Sequence, residues 1–262
     1  MKPFAAVGRA TIEFGGRWIR IAAIAAGAVS LALWPLAWRN SARSAFMRQV
    51  LVSGVEAVPF LGVIACLIGT TAVLQIQLWI ATLGQSQFLG PILVAVVVRE
   101  LGPLIVNLVI IGRGANATAA EIAGMIAKGK IGDAPSAELD PMTDFIMPRA
   151  AAWTVSALCL TVYFLFVCFS SGYVFAFLFD IRTGTPAEFA DGLLRAVSTA
   201  DVFSVAAKTT IPPILSAALC SERGLTIGNS PVDISGATTR TVEYAVLTLL
   251  TVNTLISVAT YI

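Results

Sequence analysis

Histidine is absent from this chain, and Asp, Glu, Lys and Arg together make up only 12% of it. Without histidine there is no imidazole for acid–base chemistry and no Cys/His metal site. The four cysteines, Cys66, Cys159, Cys168 and Cys220, sit in or at the end of apolar runs without C-x-x-C spacing, which argues against disulfides and thiolate-bound metal. No G-x-S-x-G is present and the carboxylates are scattered, so nothing assembles a hydrolytic centre. A net charge of +2, with the bases flanking apolar runs instead of forming one stripe, gives no footprint for nucleic acid.

What the chain has is apolar length. It is 57% hydrophobic with a mean hydropathy of +0.86, whereas about a quarter of a soluble domain is charged. The apolar residues gather into runs of about 20, the length that crosses a hydrocarbon core of about 30 Å. Five such runs are read as spanning helices: 55–82, 88–111, 151–179, 202–220 and 242–262. The fourth is short and carries Lys208, Pro212 and Pro213, breaks that a span tolerates where neighbours satisfy the freed backbone groups.

An earlier run, 19–38, has basic residues on both sides. Cytoplasmic loops hold the excess of Lys and Arg, so this run is expected to dip into the inner leaflet and return, helped by Pro35 and anchored by Trp18, Trp34 and Trp38. With the N-terminus inside, the bases within 2–48, 113–149 and 223–240 fall on the cytoplasmic side. Arg182 and Arg195 fall outside, and Arg99 and Lys208 lie within spans. The predicted architecture is an all-α integral membrane protein with an interfacial elbow region, 1–50, and one five-helix domain, 51–262, whose C-terminus is outside. The first apolar run starts behind a long basic lead, so a cleaved signal peptide is not expected.

The connections differ: 84–87 is a tight outer turn, 112–148 a long cytoplasmic segment, 180–201 an acidic outer loop and 221–240 a cytoplasmic loop. Within the long segment, 117–129 has helical periodicity through Ile122, Met125 and Ile126 and suits a surface helix that docks on a partner. Residues 124–131, GMIAKGKI, match G-x-x-x-x-G-K. They end in Ile131 where magnesium needs a hydroxyl and follow no strand, so nucleotide binding is rejected.

The most informative feature is the second span, where Arg99 and Glu100 precede Pro103 and Asn107. Each ionised group at the centre of a span costs about 2.5–3.5 kcal/mol, so these should face a bundle interior or wet cavity and be paired. Glu100, Pro103 and Asn107 share a helix face, Arg99 is turned about 100° away, and Lys208 offers Glu100 a partner. Two readings stay open, a structural ion pair and a polar lining that meets a headgroup or gates a cavity. Gly62, Gly69, Gly112 and Gly114 offer points of close helix approach.

Residues 99–125, RELGPLIVNLVIIGRGANATAAEIAGM, resemble the MlaE (YrbE) permease family, whose hallmark is R-E-L-G-P-V running into G-R-x-x-x-x-x-x-A-E-[IL]-G. Asp140–Pro141, Pro148–Arg149, the mid-helix Lys208 and ATTRTV at 237–242 stand at the family's spacing, so the resemblance covers the chain from about Val55 to its end. It implies the permease of an ABC transporter in the bacterial inner membrane: no enzyme, no cofactor of its own, ATP bound by a partner. It also implies a homodimer around a lipid cavity, a cytoplasmic ATPase dimer, a periplasmic ring of MCE-domain proteins and, in some systems, a STAS-type protein.

Carried onto matching positions, Arg99, Glu100, Asn107 and Lys208 would line or gate the cavity. Ala120, Glu121, Ile122, Gly124, Met125 and Ala127 would form a coupling helix on the ATPase. This chain departs from the family in having Lys128, Gly129 and Lys130 where the family shows T-E-Q, and SPVDIS at 230–235 in place of a Gly-rich loop. Two other classes of function are compatible with the residues: a secondary transporter using the buried charges as an ion or proton relay, and a membrane anchor that assembles partners without transport.

Overall fold

The long apolar runs become helices because a segment in lipid must satisfy every backbone N–H and C=O internally. A computed structural model describes residues 2–83, 89–127, 140–179, 185–226 and 231–261; among these there is no strand. In chain order the helices are α1 (Lys2–Ala32), α2 (Asn40–Ser53), α3 (Val58–Leu83), α4 (Leu89–Leu93), α5 (Gly102–Ala127), α6 (Met147–Leu178), α7 (Pro186–Ala196), α8 (Thr199–Thr226) and α9 (Pro231–Tyr261). Two wider π-helical segments, Val94–Leu101 and Met142–Ile146, lead into α5 and α6.

Among the described residues, five stretches are long and apolar enough to cross a membrane: Asn40–Ile76, Pro91–Ile122, Met142–Leu178, Thr199–Leu225 and Arg240–Tyr261. The chain is an all-α, multi-pass membrane protein. Span boundaries differ from the sequence reading at both ends. Apolar residues of α2 extend the first span backwards, and the fourth runs unbroken through Pro212 and Pro213.

The region expected to dip and return is broken where Pro35 stands. α1 ends at Ala32, a 3-10 turn covers Pro35–Ala37, and α2 starts at Asn40. The indole Nε1 of Trp38 donates to Ala32 O at 2.9 Å, satisfying one of the carbonyls that a helix end leaves open. Trp38 then packs edge-on against Phe46, with ring centroids 5.3 Å apart.

The stretch at 117–129 is not detached from the second span. It forms the last turns of α5, which passes through Gly112 and Gly114 without a break and is described as far as Ala127. Neither glycine stops the helix, because no proline follows and the apolar spacing continues. The match at 124–131 extends beyond the described residues after Ala127, as do residue 230 of SPVDIS and the outer turn at 84–87; the rest of SPVDIS, from Pro231, opens α9.

The chain divides into two compact units. Unit 1 comprises Met1–Val50, Ile111–Trp153 and Pro213–Thr248; unit 2 comprises Leu51–Ile110, Thr154–Pro212 and Leu249–Ile262. Within unit 2, Gly69 of α3 lies on the carbonyl of Cys168 in α6, and Gly172 lies on Val73, so these helices touch backbone to backbone where any larger residue would collide. Gly62 similarly faces Tyr163. Within unit 1, Gly114 makes room for the fully buried Trp153, whereas Gly112 has open space beside it.

The outer loop predicted at 180–201 contains a helix. Thr185 caps α7 by accepting from Glu188 N at 3.3 Å, while Glu188 Oε2 accepts from Thr185 N at 3.1 Å. With Pro186 at the first helical position this is a complete capping box, and T-P-A-E spelled it in the sequence.

Candidate functional site

In unit 2, two prolines set the geometry. An α-helical N–H at position 103 would bond the carbonyl of Arg99, and one at 212 the carbonyl of Lys208, but proline has no N–H to give. Each carbonyl receives a side chain from the other helix instead. Lys208 Nζ donates to Arg99 O at 2.6 Å, and Asn107 Nδ2 donates to Lys208 O at 2.9 Å. Leaving a buried carbonyl unpaired costs about 1–3 kcal/mol, so this exchange accounts for an unbroken α8 across Pro212.

The ion pairs are built on the same frame. Glu100 Oε1 accepts from Lys208 Nζ at 2.8 Å and from Ser257 Oγ at 2.7 Å; Oε2 accepts from Asn253 Nδ2 at 3.0 Å. Arg99 Nε stands 2.7 Å from Asp201 Oδ1, with Nη2 donating to Oδ2 at 3.3 Å. Tyr261 donates its hydroxyl to Asp201 Oδ1 at 2.8 Å, and its ring lies 4.6 Å from the guanidinium carbon of Arg99. Ser198 N completes the Asp201 carboxylate at 2.8 Å.

Arg99 and Glu100 therefore grip one helix at two heights, because Asp201 and Lys208 are seven residues apart on the same face of α8. Neighbours in an α-helix diverge by about 100°. Here the π-helical turn, in which Gly102 N–H reaches back to Val97 O, widens the helix at this point. The side chains of Lys208 and Asp201 are completely buried, whereas Arg99 is 29% and Glu100 43% exposed.

Sequence reasoning found Arg99, Glu100, Asn107 and Lys208, all of which the structure brings together. It missed Asp201, assigned to the outer loop but lying in the first turn of α8, and it missed Asn253, Ser257 and Tyr261. A signal existed: these three stand at i, i+4 and i+8 on α9, a polar stripe down one face of an apolar helix.

Beside this cluster unit 2 holds an apolar groove of about 790 Å³, within the size range of ligand pockets. Val94 and Val98 of the π-helical segment, Phe166 and Phe169 of α6, Leu194 of α7 and Val205 of α8 line it, and Asp201 lies at its wall. Phe189 of α7 is held in place against Tyr173, at 5.4 Å between centroids.

Unit 1 carries the residues predicted to couple. Glu121 pairs with Arg149, joining the end of α5 to the start of α6. Asp140 caps the following turn by accepting from Met142 N at 3.1 Å and Thr143 Oγ1 at 2.9 Å, while the buried Asp144 accepts from Ser41 Oγ at 2.6 Å. Ile122 is buried against Gly224 of α8 and so packs inside the unit. Ala120 is exposed and Gly124 and Met125 are half-buried; Ala127 is helical in its backbone. Arg20 reaches Glu222 at 3.5 Å, and Arg223 lies over Tyr244 at 4.4 Å. Among the described residues there is no group of His, Cys, Asp and Glu able to hold a metal ion.

Comparison with known proteins places these features in context. The family profile described as Permease MlaE matches residues 46–259. A probable ABC transporter permease protein of Rickettsia typhi is 24% identical over 82% of this chain and 82% of its own length. Another, from Synechocystis, is 25% identical over 80% of each. The intermembrane phospholipid transport system permease protein MlaE of Haemophilus influenzae is 25% identical over 78% of each.

Proposed function

This chain belongs to the MlaE permease family of ABC transporter permeases, and we propose that it moves phospholipid or a related amphiphile between the bacterial inner membrane and a periplasmic MCE-domain ring. ATP is hydrolysed in a separate cytoplasmic ATPase dimer, with a STAS-type protein as a further partner. Two copies of the chain enclose the cavity, and the chain itself catalyses nothing.

The observation that carries this reading is the set of four ionised residues inside spanning helices, beside an apolar groove. Such groups are expensive in oil and mark pathways. A polar cluster next to apolar walls is the chemistry a lipid demands, with a headgroup at Glu100 and Arg99 and acyl chains along Val94, Phe166 and Val205. The name of the Haemophilus relative supports phospholipid as cargo. Charge supports the orientation, with the N-terminus cytoplasmic and the C-terminus periplasmic. Among the described residues every base that the positive-inside rule put in the cytoplasm falls in unit 1, and Arg99, Arg195 and Lys208 fall in unit 2. The side of the α5 end that carries the exposed Ala120 and the half-buried Gly124 and Met125, with Glu121 anchored on Arg149, is the surface offered to the ATPase.

Purification in mild detergent, with identification of the proteins and lipids that stay bound, tests the reading. An ABC ATPase, an MCE protein and phospholipid in one particle are expected. Their reproducible absence overturns it and favours a stand-alone ion-coupled carrier, and the protein partners without any lipid favour an anchor.

A further inference from the structure

We propose that the unit 2 cluster favours amphiphiles whose headgroup carries a cationic hydrogen-bond donor, a primary ammonium, over headgroups that are anionic only. The proposal rests on the lipid-permease reading and adds to it the class of headgroup.

The four charges cancel: two carboxylates, Glu100 and Asp201, and two cations, Arg99 and Lys208. What a ligand meets therefore depends on which groups are presented. Lys208 is completely buried and donates to Arg99 O and Glu100 Oε1. Asp201, equally buried, accepts from Arg99, Tyr261 and Ser198. Arg99 is partly exposed, but it spends its charge on Asp201 and one face on the Tyr261 ring. Asp201 and Tyr261 are positioning residues in this arrangement, holding the guanidinium away from Glu100.

Glu100 is the most exposed of the four, at 43%. An ionised carboxylate offers about four acceptor positions. Three are filled by Lys208, Ser257 and Asn253, and the remaining one is on Oε2. The amide of Asn253 that serves Oε2 is 5% exposed, and its Oδ1 has no hydrogen-bond partner among the described residues. Since Glu100 only accepts, the amide nitrogen must face it, which leaves Oδ1 as a further acceptor on the same side chain. A buried acceptor without a partner is costly. Two acceptors on hydrogen-bonded neighbours, one of them charged, suit a group with several N–H bonds and a positive charge, and repel a bare anion. An ammonium carries donors enough for both.

The test uses the purified full-length chain, incubated with equimolar phosphatidylethanolamine and phosphatidylglycerol of identical acyl chains, and native mass spectrometry of what remains bound. Phosphatidylethanolamine should be retained about five- to tenfold over phosphatidylglycerol, the size of one charge-assisted hydrogen bond at a half-exposed site. Glu100→Gln and, independently, Asn253→Leu should each bring the ratio within about twofold. Arg195→Ala on the exposed surface of α7 should leave it unchanged. Equal retention by the unaltered chain overturns the selectivity while leaving the lipid reading standing, and retention of neither lipid overturns both. A preference that survives both variants overturns the assignment to Glu100 and Asn253. Loss of the bound phosphatidylethanolamine on adding equimolar free ethanolamine shows recognition of a soluble amine and overturns selection of a lipid.

Discussion

In unit 2, Glu100 fills three acceptor positions and Asp201 is surrounded by donors, whereas in unit 1 the mostly buried Arg149 bonds Glu121 through Nη2 and has no hydrogen-bond partner at Nε and Nη1 among the described residues. Both units bury charge by pairing across helices, and they finish the job to different degrees. Charges surrounded by apolar residues must be closed off by the protein itself, since neither water nor lipid tails will do it. The Arg149 guanidinium at the start of α6 keeps two buried donors in reserve beside Glu121 of α5.

Substitutions that break the pairs should follow this order. Lys208→Met, the largest, removes the side chain that donates to Arg99 O and the counterion of Glu100. Leaving a buried pair half made costs about 3–5 kcal/mol, and the half-exposed Glu100 puts this case at about 3 kcal/mol. A sharp fall in thermal midpoint in detergent, or loss of a monodisperse peak, is expected. Asp201→Asn should cost less, about 2 kcal/mol, because Arg99 is partly exposed and can turn toward water; a thermal-shift assay measures it.

Arg149→Gln sharpens the comparison by separating the units. A loss of about 1–2 kcal/mol is expected, since Glu121 is 39% exposed and can be rehydrated. Bound lipid should remain while recovery of the ATPase on affinity purification falls. Lipid lost together with the ATPase would erase the distinction between units. The smallest effect belongs to Arg20→Ala. Arg20 is 61% exposed and 3.5 Å from Glu222, so the thermal midpoint should reflect no more than about 0.5 kcal/mol.

The spans were legible because hydrocarbon thickness fixes a length, and runs of apolar residues advertise it directly. Glu100 and Lys208 were legible for the converse reason, since ionised groups stand out in such runs and have few candidate partners. Pro212 and Pro213 were read as tolerable breaks. What the sequence withheld was the means, an amide on another helix, Asn107, that pairs the carbonyl of Lys208. The π-helical turn at Val94–Leu101 was also hidden, because an i+5 bond arises from packing and leaves no pattern in the residues.

Asp201 was assigned to the outer loop because a carboxylate at the edge of an apolar run resembles a span end. Only contact with Arg99 shows that it belongs inside. Asn253 and Ser257 went unread since single uncharged polar residues are common in spans, and their meaning depends on the rotation of α9 toward Glu100. In unit 1 the helical character of 117–127 is legible in its periodicity, but its continuity with the second span is not, because Gly112 and Gly114 look like an exit from the helix until Trp153 is seen to occupy the space over Gly114.

The central claim is that the paired charges of unit 2 serve the cargo. The double substitution Glu100→Gln with Lys208→Met tests it most directly, because it removes both charges together and leaves no unpaired ion to destabilise the fold. In membranes reconstituted with the copurified ATPase and MCE partner, the assembled complex should persist and hydrolyse ATP while lipid transfer to the acceptor is lost. Transfer at the unaltered rate in that double variant would contradict the account.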